Sequence, residues 1–308
     1  MTQPDSYRGR FAPSPTGPLH FGSLIAAVGS YLQARSQHGE WGLRIENIDP
    51  PREARGAIDA ILYSLEAHGL SWDGEEQYQQ TRQARYAEAL DEIRRSGRLY
   101  ACSCSRQQIA KAIGHTGGPL IYPGTCRGKS KPQHGPHALR VDTRDYVIEF
   151  EDMIQGKQQI NLAKETGDFV LLRADGLYSY QLAVALDDVE QGITEVVRGS
   201  DLLDSTPRQI FVQQIMGFAA PRYAHLPVAI DPLTGQKLSK QTMAPALDNN
   251  KATQNLWRAL EFLGQPPPPE LRDNSVEEFW SWAIPNWQFQ LVPRTATISV
   301  GPDAKMES

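Results

Sequence analysis

The sequence predicts an α/β protein made of two α/β halves, a loop-rich insertion between them and a short helical tail. Three observations lead there. A loop dense in Pro and Gly near the N-terminus runs into an apolar helix and then a strand, the opening of an α/β unit. Strand and helix patterns return at Phe169 after a stretch of different texture. That stretch, Tyr100 to about Asp168, carries all three cysteines among closely spaced Gly and Pro.

The elements follow in chain order. Phe11 to Ser23 holds Pro13, Pro15, Gly17, Pro18 and Gly22, residues that fix or free φ, so it is a shaped loop. Leu24, Ile25, Ala27, Val28, Tyr31 and Leu32 are spaced for a helix from Ser23 to about Gln37, with Gly39 placed as its C-terminal cap. Leu43 to Glu46 reads as a short strand. Ile58, Ile61, Leu62 and Leu65 mark an amphipathic helix, and Tyr86, Leu90 and Ile93 another that ends near Gly97. Inside the insertion only Tyr146–Phe150 carries a strand signal. Phe169–Arg173 reads as a buried strand, Asp175-Gly176 as a turn, Tyr180–Leu186 as helix and Ile193–Val197 as strand. Ser205-Thr206-Pro207 predicts a helix start with a hydroxyl cap. Ala224–Ile230 predicts one strand. The tail is helical to about Gly264, is broken by Pro266 through Pro269, and restarts at the capping-box pattern Ser275-Val276-Glu277-Glu278. The expected boundaries are 1–99 with 169–245 for the two halves, 100–168 for the insertion and 246–308 for the tail.

Composition removes several classes of function. Apolar residues make up 40 %, enough for a real core. Nothing approaches the ~20 apolar residues of a membrane span. The first thirty residues lack a secretory signal pattern, and three cysteines cannot form a paired framework, so a cytoplasmic protein without a membrane partner is expected. Lys and Arg total 31 against 36 Asp and Glu, a net charge of −5, which disfavours coating nucleic acid by bulk charge but leaves a local site open.

Two motifs bracket both halves. His20-Phe21-Gly22-Ser23 sits where the first helix begins, so unpaired N–H groups and a histidine face a common point, an arrangement suited to an anion. Lys237-Leu238-Ser239-Lys240-Gln241 follows a Gly turn and offers two ammonium groups to a polyphosphate. Each alone reads more readily as a helix-opening turn or a surface loop. No G-x-x-x-x-G-K-[ST] loop is present.

Together the two motifs resemble the HIGH and KMSKS signatures of the class I aminoacyl-tRNA synthetases. Arg10-Phe11-Ala12-Pro13-Ser14-Pro15-Thr16-Gly17, Leu43 through Asp49, Asp175 through Ala183 and Val197 through Leu203 are similar to blocks of the glutamyl branch, in its order. The resemblance implies a Rossmann-type catalytic domain that activates L-glutamate with ATP and magnesium. It places His20, Gly22, Lys237 and Lys240 in catalysis, and His20, Gly22, Ser23, Lys237, Ser239 and Lys240 at ATP. Arg10 and Arg198 suit glutamate carboxylates, Glu46 its ammonium, and Ser14 and Tyr180 neutral hydrogen bonds.

Cys102, Cys104 and Cys126 predict a structural zinc, against unmetallated thiols as the alternative. The resemblance offers Tyr122 as the fourth ligand, and His115, His134 and His137 are its rivals. The residues after Gln241 are too few for an anticodon-reading module. The chain is therefore similar to shortened glutamyl-type paralogues that transfer glutamate to queuosine in the anticodon stem-loop of tRNA(Asp). A monomer is the default expectation. Rival readings are a minimal glutamyl-tRNA synthetase acting on a tRNA 3′ end, a non-catalytic RNA-binding paralogue and a nucleotidyltransferase of related fold.

Overall fold

The computed structural model describes residues 6–114, 117–118, 120–129, 135–237 and 245–300. Strand β1 (Arg8–Phe11) leads through the Pro-Gly loop to helix α1 (Phe21–Ser36), which returns to β2 (Glu40–Ile45). β1 and β2 pair in parallel, Arg10 opposite Gly42. Helix α2 (Ala57–Ala67) carries the chain to the short β3 (Gln77–Tyr78), parallel to β2. Both crossovers are helices, as parallel pairing requires.

Helix α3 (Gln83–Arg95) buries Tyr86, Ala89, Leu90 and Ile93, the stripe its spacing predicts. Next come β4 (Leu99–Cys102), α4 (Arg106–Ala112) with a complete Ser105/Gln108 capping box, and β5 (Ala138–Val141). β6 (Val147–Asp152) and β7 (Gly156–Asn161) form an antiparallel hairpin, followed by α5 (Leu162–Glu165) and β8 (Val170–Leu172). β4, β5 and β8 make an antiparallel sheet. β6 leaves that surrounding segment to join a parallel sheet, with Asp152 opposite Tyr223.

Helix α6 (Tyr180–Glu190), β9 (Glu195–Gly199), α7 (Thr206–Ile215) and β10 (Arg222–Leu226) form the second half. β9 and β10 pair in parallel throughout, with Arg198 opposite His225. Pro227, which has no N–H to donate, ends β10, so the single strand expected over Ala224–Ile230 is two. The second part, β11 (Val228–Ile230), belongs to another sheet with β12 (Thr297–Ser299). The tail is therefore not only helical. Helices α8 (Ala252–Phe262) and α9 (Val276–Asn286) precede β12, and the predicted capping box opens α9.

β1 lies beside β9, where Thr194 N–H donates to Arg8 O at 2.9 Å. From this seam one half winds outward to β2 and β3, and the other to β10 and β6. Strand order thus reverses between β1 and β9. In an open α/β sheet the crevice at the carboxyl ends of such strands is where ligands bind.

Helix α1 is buried over most of its length because α8 and α9 cover the side that the strands do not. Gly29 allows its close approach to β10: a Cβ there would meet Leu226 Cδ1 at 2.6 Å. Two expected caps are realised differently. His38, with φ +53°, takes the left-handed position after α1, while Gly39 admits Tyr7, whose carbonyl O would lie 2.4 Å from a Cβ. Ser205 ends a 3₁₀ turn with helical φ −80° and ψ −27°, so its hydroxyl does not cap α7 and accepts from Gln181 Nε2 instead.

Candidate active site

A cavity of about 720 Å³ opens at the carboxyl ends of β1 and β9. It gathers every predicted substrate residue that the structure describes. β1 contributes Arg10, the loop after it Ser14, and the first turn of α1 His20, Gly22 and Ser23. The end of β2 supplies Glu46, the start of α6 Tyr180, β9 Arg198, and the chain after β11 Lys237. Leu238, Ser239, Lys240 and Gln241 lie outside the described residues. Both flanks of their loop are tied to the cavity. Lys237 bridges to Ile230, and Ala246 bridges to His20.

Arg10 is not an open fork. Its Nε and Nη2 donate to Asp188 at 3.0 and 3.3 Å, both groups being buried. Arg44 Nη2 also reaches Asp188, at 2.8 Å, and Glu46 Oε1 at 3.4 Å. The cause is burial: a guanidinium on a central strand needs an anion or neutral acceptors, and α6 brings Asp187 and Asp188 over β1 and β2. Burial opposes ionisation of Asp188, but Arg10 and Arg44 outweigh it and hold its carboxyl down at about 2. Glu46 goes the other way. Burial raises it to about 7, Asp188 adds to the rise, and Arg44, Arg10 and Arg198 oppose it. Tyr180 is pushed up to about 12 by burial and by Glu46.

Among the described residues Arg198 is held without an acid. Its Nε donates to His225 Nε2 at 3.1 Å, and Nη2 donates to Thr206 Oγ1 and Gln209 Oε1, each at 2.8 Å. Its Nη1 is buried and has no hydrogen-bond partner among the described residues. An orphaned cationic donor lining a cavity is a place for an anionic oxygen.

His20 is the N-cap of α1. Its Nδ1 accepts from Ser23 N–H at 3.3 Å, so the ring proton sits on Nε2. Lys237 Nζ is paired with Asp201 Oδ2 at 2.6 Å at the cavity rim.

A second constellation lies off this cavity. The sulfurs of Cys102, Cys104 and Cys126 are all within 4.8 Å of one another. Tyr122 Oη lies 3.3 Å from Cys102 Sγ and 3.8 Å from Cys104 Sγ, and accepts from Cys126 N–H at 2.8 Å. The Arg140 guanidinium stands 4.1 Å from the Tyr122 ring centroid. His137 does not join this cluster, and His115 and His134 lie outside the described residues.

Residues 6–260 match the family model for the catalytic domain of class I tRNA synthetases of the E and Q type. The glutamyl-Q tRNA(Asp) synthetase of Dechloromonas aromatica is 53 % identical over 95 % of this chain and 97 % of its own length. That of Chromobacterium violaceum is 51 % identical over 93 % and 95 %. The chain belongs to the glutamyl-Q tRNA(Asp) synthetase family. Membership makes it a ligase of the aminoacyl-tRNA synthetase type, with ATP and magnesium implied by the family. Among solved structures, a glutamate-tRNA synthetase from Elizabethkingia anophelis superposes with a TM-score of 0.80 at 25 % identity, covering 98 % of this chain and 69 % of that one. The class I catalytic fold is thereby shared by this member of the glutamyl-Q tRNA(Asp) synthetase family.

Sequence reasoning did not select Asp188, Arg44, His225 or Asp152. A signal was present for two of them. Asp187-Asp188 follows Leu182-Ala183-Val184-Ala185-Leu186 on an apolar helix, and His225 interrupts the apolar strand Tyr223–Leu226. Acids and histidines at buried positions need partners.

Proposed function

We propose that the chain activates glutamate with ATP and transfers it to queuosine in the anticodon of tRNA(Asp). One observation carries the first half. A single cavity joins the orphaned Arg198 Nη1, the Glu46 carboxyl and the first turn of α1. Those are sites for a carboxylate, an ammonium and a phosphate. The second half comes from the relatives' names and the share of their length that this chain spans.

In this reading the α-carboxylate oxygen of glutamate attacks the α-phosphorus of ATP in line. A P–O bond forms, the bond to pyrophosphate breaks, and glutamyl-adenylate remains. No side chain acts as nucleophile, so catalysis is positioning and charge stabilisation. His20 donates its Nε2–H, and the N–H of Gly22 at the α1 terminus faces the phosphates with the Ser23 side chain beside it. Lys240 supplies the second cation, and Lys237 leaves Asp201 to join it. Magnesium bound with ATP would neutralise part of the phosphate charge. Glu46 pairs with the ammonium, Arg198 with the side-chain carboxylate, and Tyr180 and Ser14 fix orientation. Arg10 serves mainly through its bond to Asp188. A queuosine hydroxyl then attacks the activated carbonyl and AMP leaves.

The sulfur cluster fits zinc. Two 2.3 Å Zn–S bonds at a tetrahedral angle put sulfurs about 3.8 Å apart, and Cys104 and Cys126 are at 3.5 Å. Cys102, Cys104, Cys126 and the Tyr122 oxygen would complete four ligands, so the role is structural, clamping β4 to the chain that follows α4.

The test is transfer of labelled glutamate to tRNA from cells that make queuosine and from cells that lack it. Label only in the first supports the proposal. Equal label in both, located at the 3′ end, replaces it with a minimal glutamyl-tRNA synthetase.

A further inference from the structure

We infer that Asp152 and His225 form a buried dyad that positions Arg198 without neutralising it, and so set the preference for a side-chain carboxylate over an amide. The inference rests on the proposal that Arg198 meets the substrate. The reacting carboxylate must face the phosphates at the α1 terminus and Glu46 takes the ammonium. That leaves the deeply buried Arg198 for the side chain.

The geometry is specific. His225 on β10 stands opposite Arg198 on β9. Its Nδ1 lies 2.5 Å from Asp152 Oδ2, and both residues are buried. The other oxygen of Asp152 is fully used. It accepts from the backbone N–H groups of His225, Ile154 and Gln155 at 3.1, 3.0 and 2.8 Å. Asp152 therefore has one oxygen left, and it faces Nδ1. Burial opposes ionisation of Asp152, but the His225 and backbone N–H bonds hold its carboxyl below the usual range. Burial and the charges of Arg198 and Arg10 lower His225, against the pull of Asp152, so the ring is neutral.

A neutral ring that donates Nδ1–H to Asp152 must present a lone pair at Nε2. That lone pair accepts Arg198 Nε–H at 3.1 Å and lies 3.0 Å from Thr206 Oγ1. Among the described residues the other hydrogen-bonding and ring contacts of Arg198 are also neutral. They are Gln209, Thr206, the Leu202 carbonyl at 3.4 Å and the Tyr223 ring at 5.8 Å. Among the described residues no carboxylate is within ion-pair distance of Arg198. Contrast Arg10, which is oriented by a carboxylate and is quenched by it. The imidazole transmits the orientation fixed by Asp152 while keeping its charge one ring away. Arg198 keeps its cation free of an ion pair, with Nη1 unpartnered among the described residues, for the ligand. A glutamine side chain could offer Nη1 an oxygen but no charge.

The variants are His225→Asn, His225→Gln and Asp152→Asn, measured by ATP–pyrophosphate exchange with glutamate and with glutamine, alongside thermal melts. In H225N the amide still donates to Asp152, but nothing reaches Arg198 Nε. In H225Q the amide oxygen takes the place of Nε2. In D152N the backbone N–H groups claim the amide oxygen, so its NH₂ faces Nδ1 and forces the proton to Nε2, against the guanidinium. We expect H225N and D152N to raise the glutamate KM about tenfold to a hundredfold, with the ATP KM unchanged. Discrimination against glutamine should narrow in the same variants, and H225Q should recover most of the loss. An unchanged glutamate KM in both H225N and D152N overturns the inference. So does a loss shared equally with ATP, or one that H225Q does not recover. Arg198→Ala separates the two levels. A raised glutamate KM in R198A with a normal one in H225N and D152N refutes the dyad alone. An unchanged KM in R198A removes the reading of Arg198 and the dyad with it.

Discussion

Glu46 offers a measurement in which burial sets the direction of a pH dependence and a carboxyl held at about 7 sets its interval. Its carboxyl is held at about 7 by burial, so it changes charge where most assays are run. The proposal sets this group against the ammonium of glutamate, and only the carboxylate form attracts an ammonium. Of the groups coupled to it, Asp188 is held at about 2 and Tyr180 at about 12, so neither changes charge between pH 6 and 8. At pH 8 about nine-tenths of Glu46 is ionised, and at pH 6 about one-tenth. The kcat/KM for glutamate should therefore fall about tenfold from pH 8 to pH 6, with a limiting slope of one. The assay is ATP–pyrophosphate exchange with glutamate varied at saturating ATP and magnesium. Glu46→Gln should be about tenfold to a hundredfold poorer at pH 8, the cost of a charge-assisted bond, and flat across the interval. A flat profile in the parent chain refutes the reasoning. An acid limb that survives in E46Q assigns the titration to another group, such as His20, and refutes it equally.

Three further outcomes are expected. Asp188→Asn leaves Arg10 and Arg44 with a weakened buried partner and should cost about 3–5 kcal/mol in urea unfolding at neutral pH. Because the folded pKa of Asp188 is depressed, its contribution is complete above about pH 4 and lost as pH falls toward 2, so the penalty should shrink in acid. Cys126→Ser should lower bound zinc below one ion per chain and depress the melting temperature, read by metal analysis and calorimetry; a parent chain that folds without zinc would dismiss the metal. Lys240→Ala should slow adenylate formation by at least tenfold in single-turnover assays with an unchanged melting temperature, and parent-like rates would remove it from the mechanism.

The parts of the fold that local chemistry dictates were legible in the sequence. α1, α3 and α9 lie where apolar spacing and the Ser275 capping box put them. What was not legible depends on partners distant in sequence. Pro227 divides a strand because the two parts belong to different sheets, and β12 exists because β11 offers an edge. Gly39 is glycine for the sake of Tyr7, a contact that spacing along one helix cannot reveal. The same holds in the site. The residues that line the cavity came from motifs, but their supports did not. Arg10 finds Asp188 across 178 residues, and His225 finds Asp152 across 73.

Those long-range supports explain how one cavity can treat similar residues differently. Arg10 and Arg198 sit on neighbouring strands at the same seam, and both are almost wholly buried. A buried guanidinium needs an anion or a full set of acceptors. Arg10 receives its anion from α6, and with Arg44 it ties β1 and β2 of the first half to the second. Its charge is spent inside the protein. Arg198 receives acceptors only, and the missing anion is the one a substrate can bring. Glu46 is the complement, an acid that burial keeps near half-protonated despite Arg44 at 3.4 Å, and that a further cation would ionise. Both groups are thus left in states that a zwitterionic dicarboxylate relieves and a neutral or cationic amino acid does not. On the proposed reading, recognition of glutamate resides less in which charged residues line the cavity than in which of them the fold has left incompletely compensated.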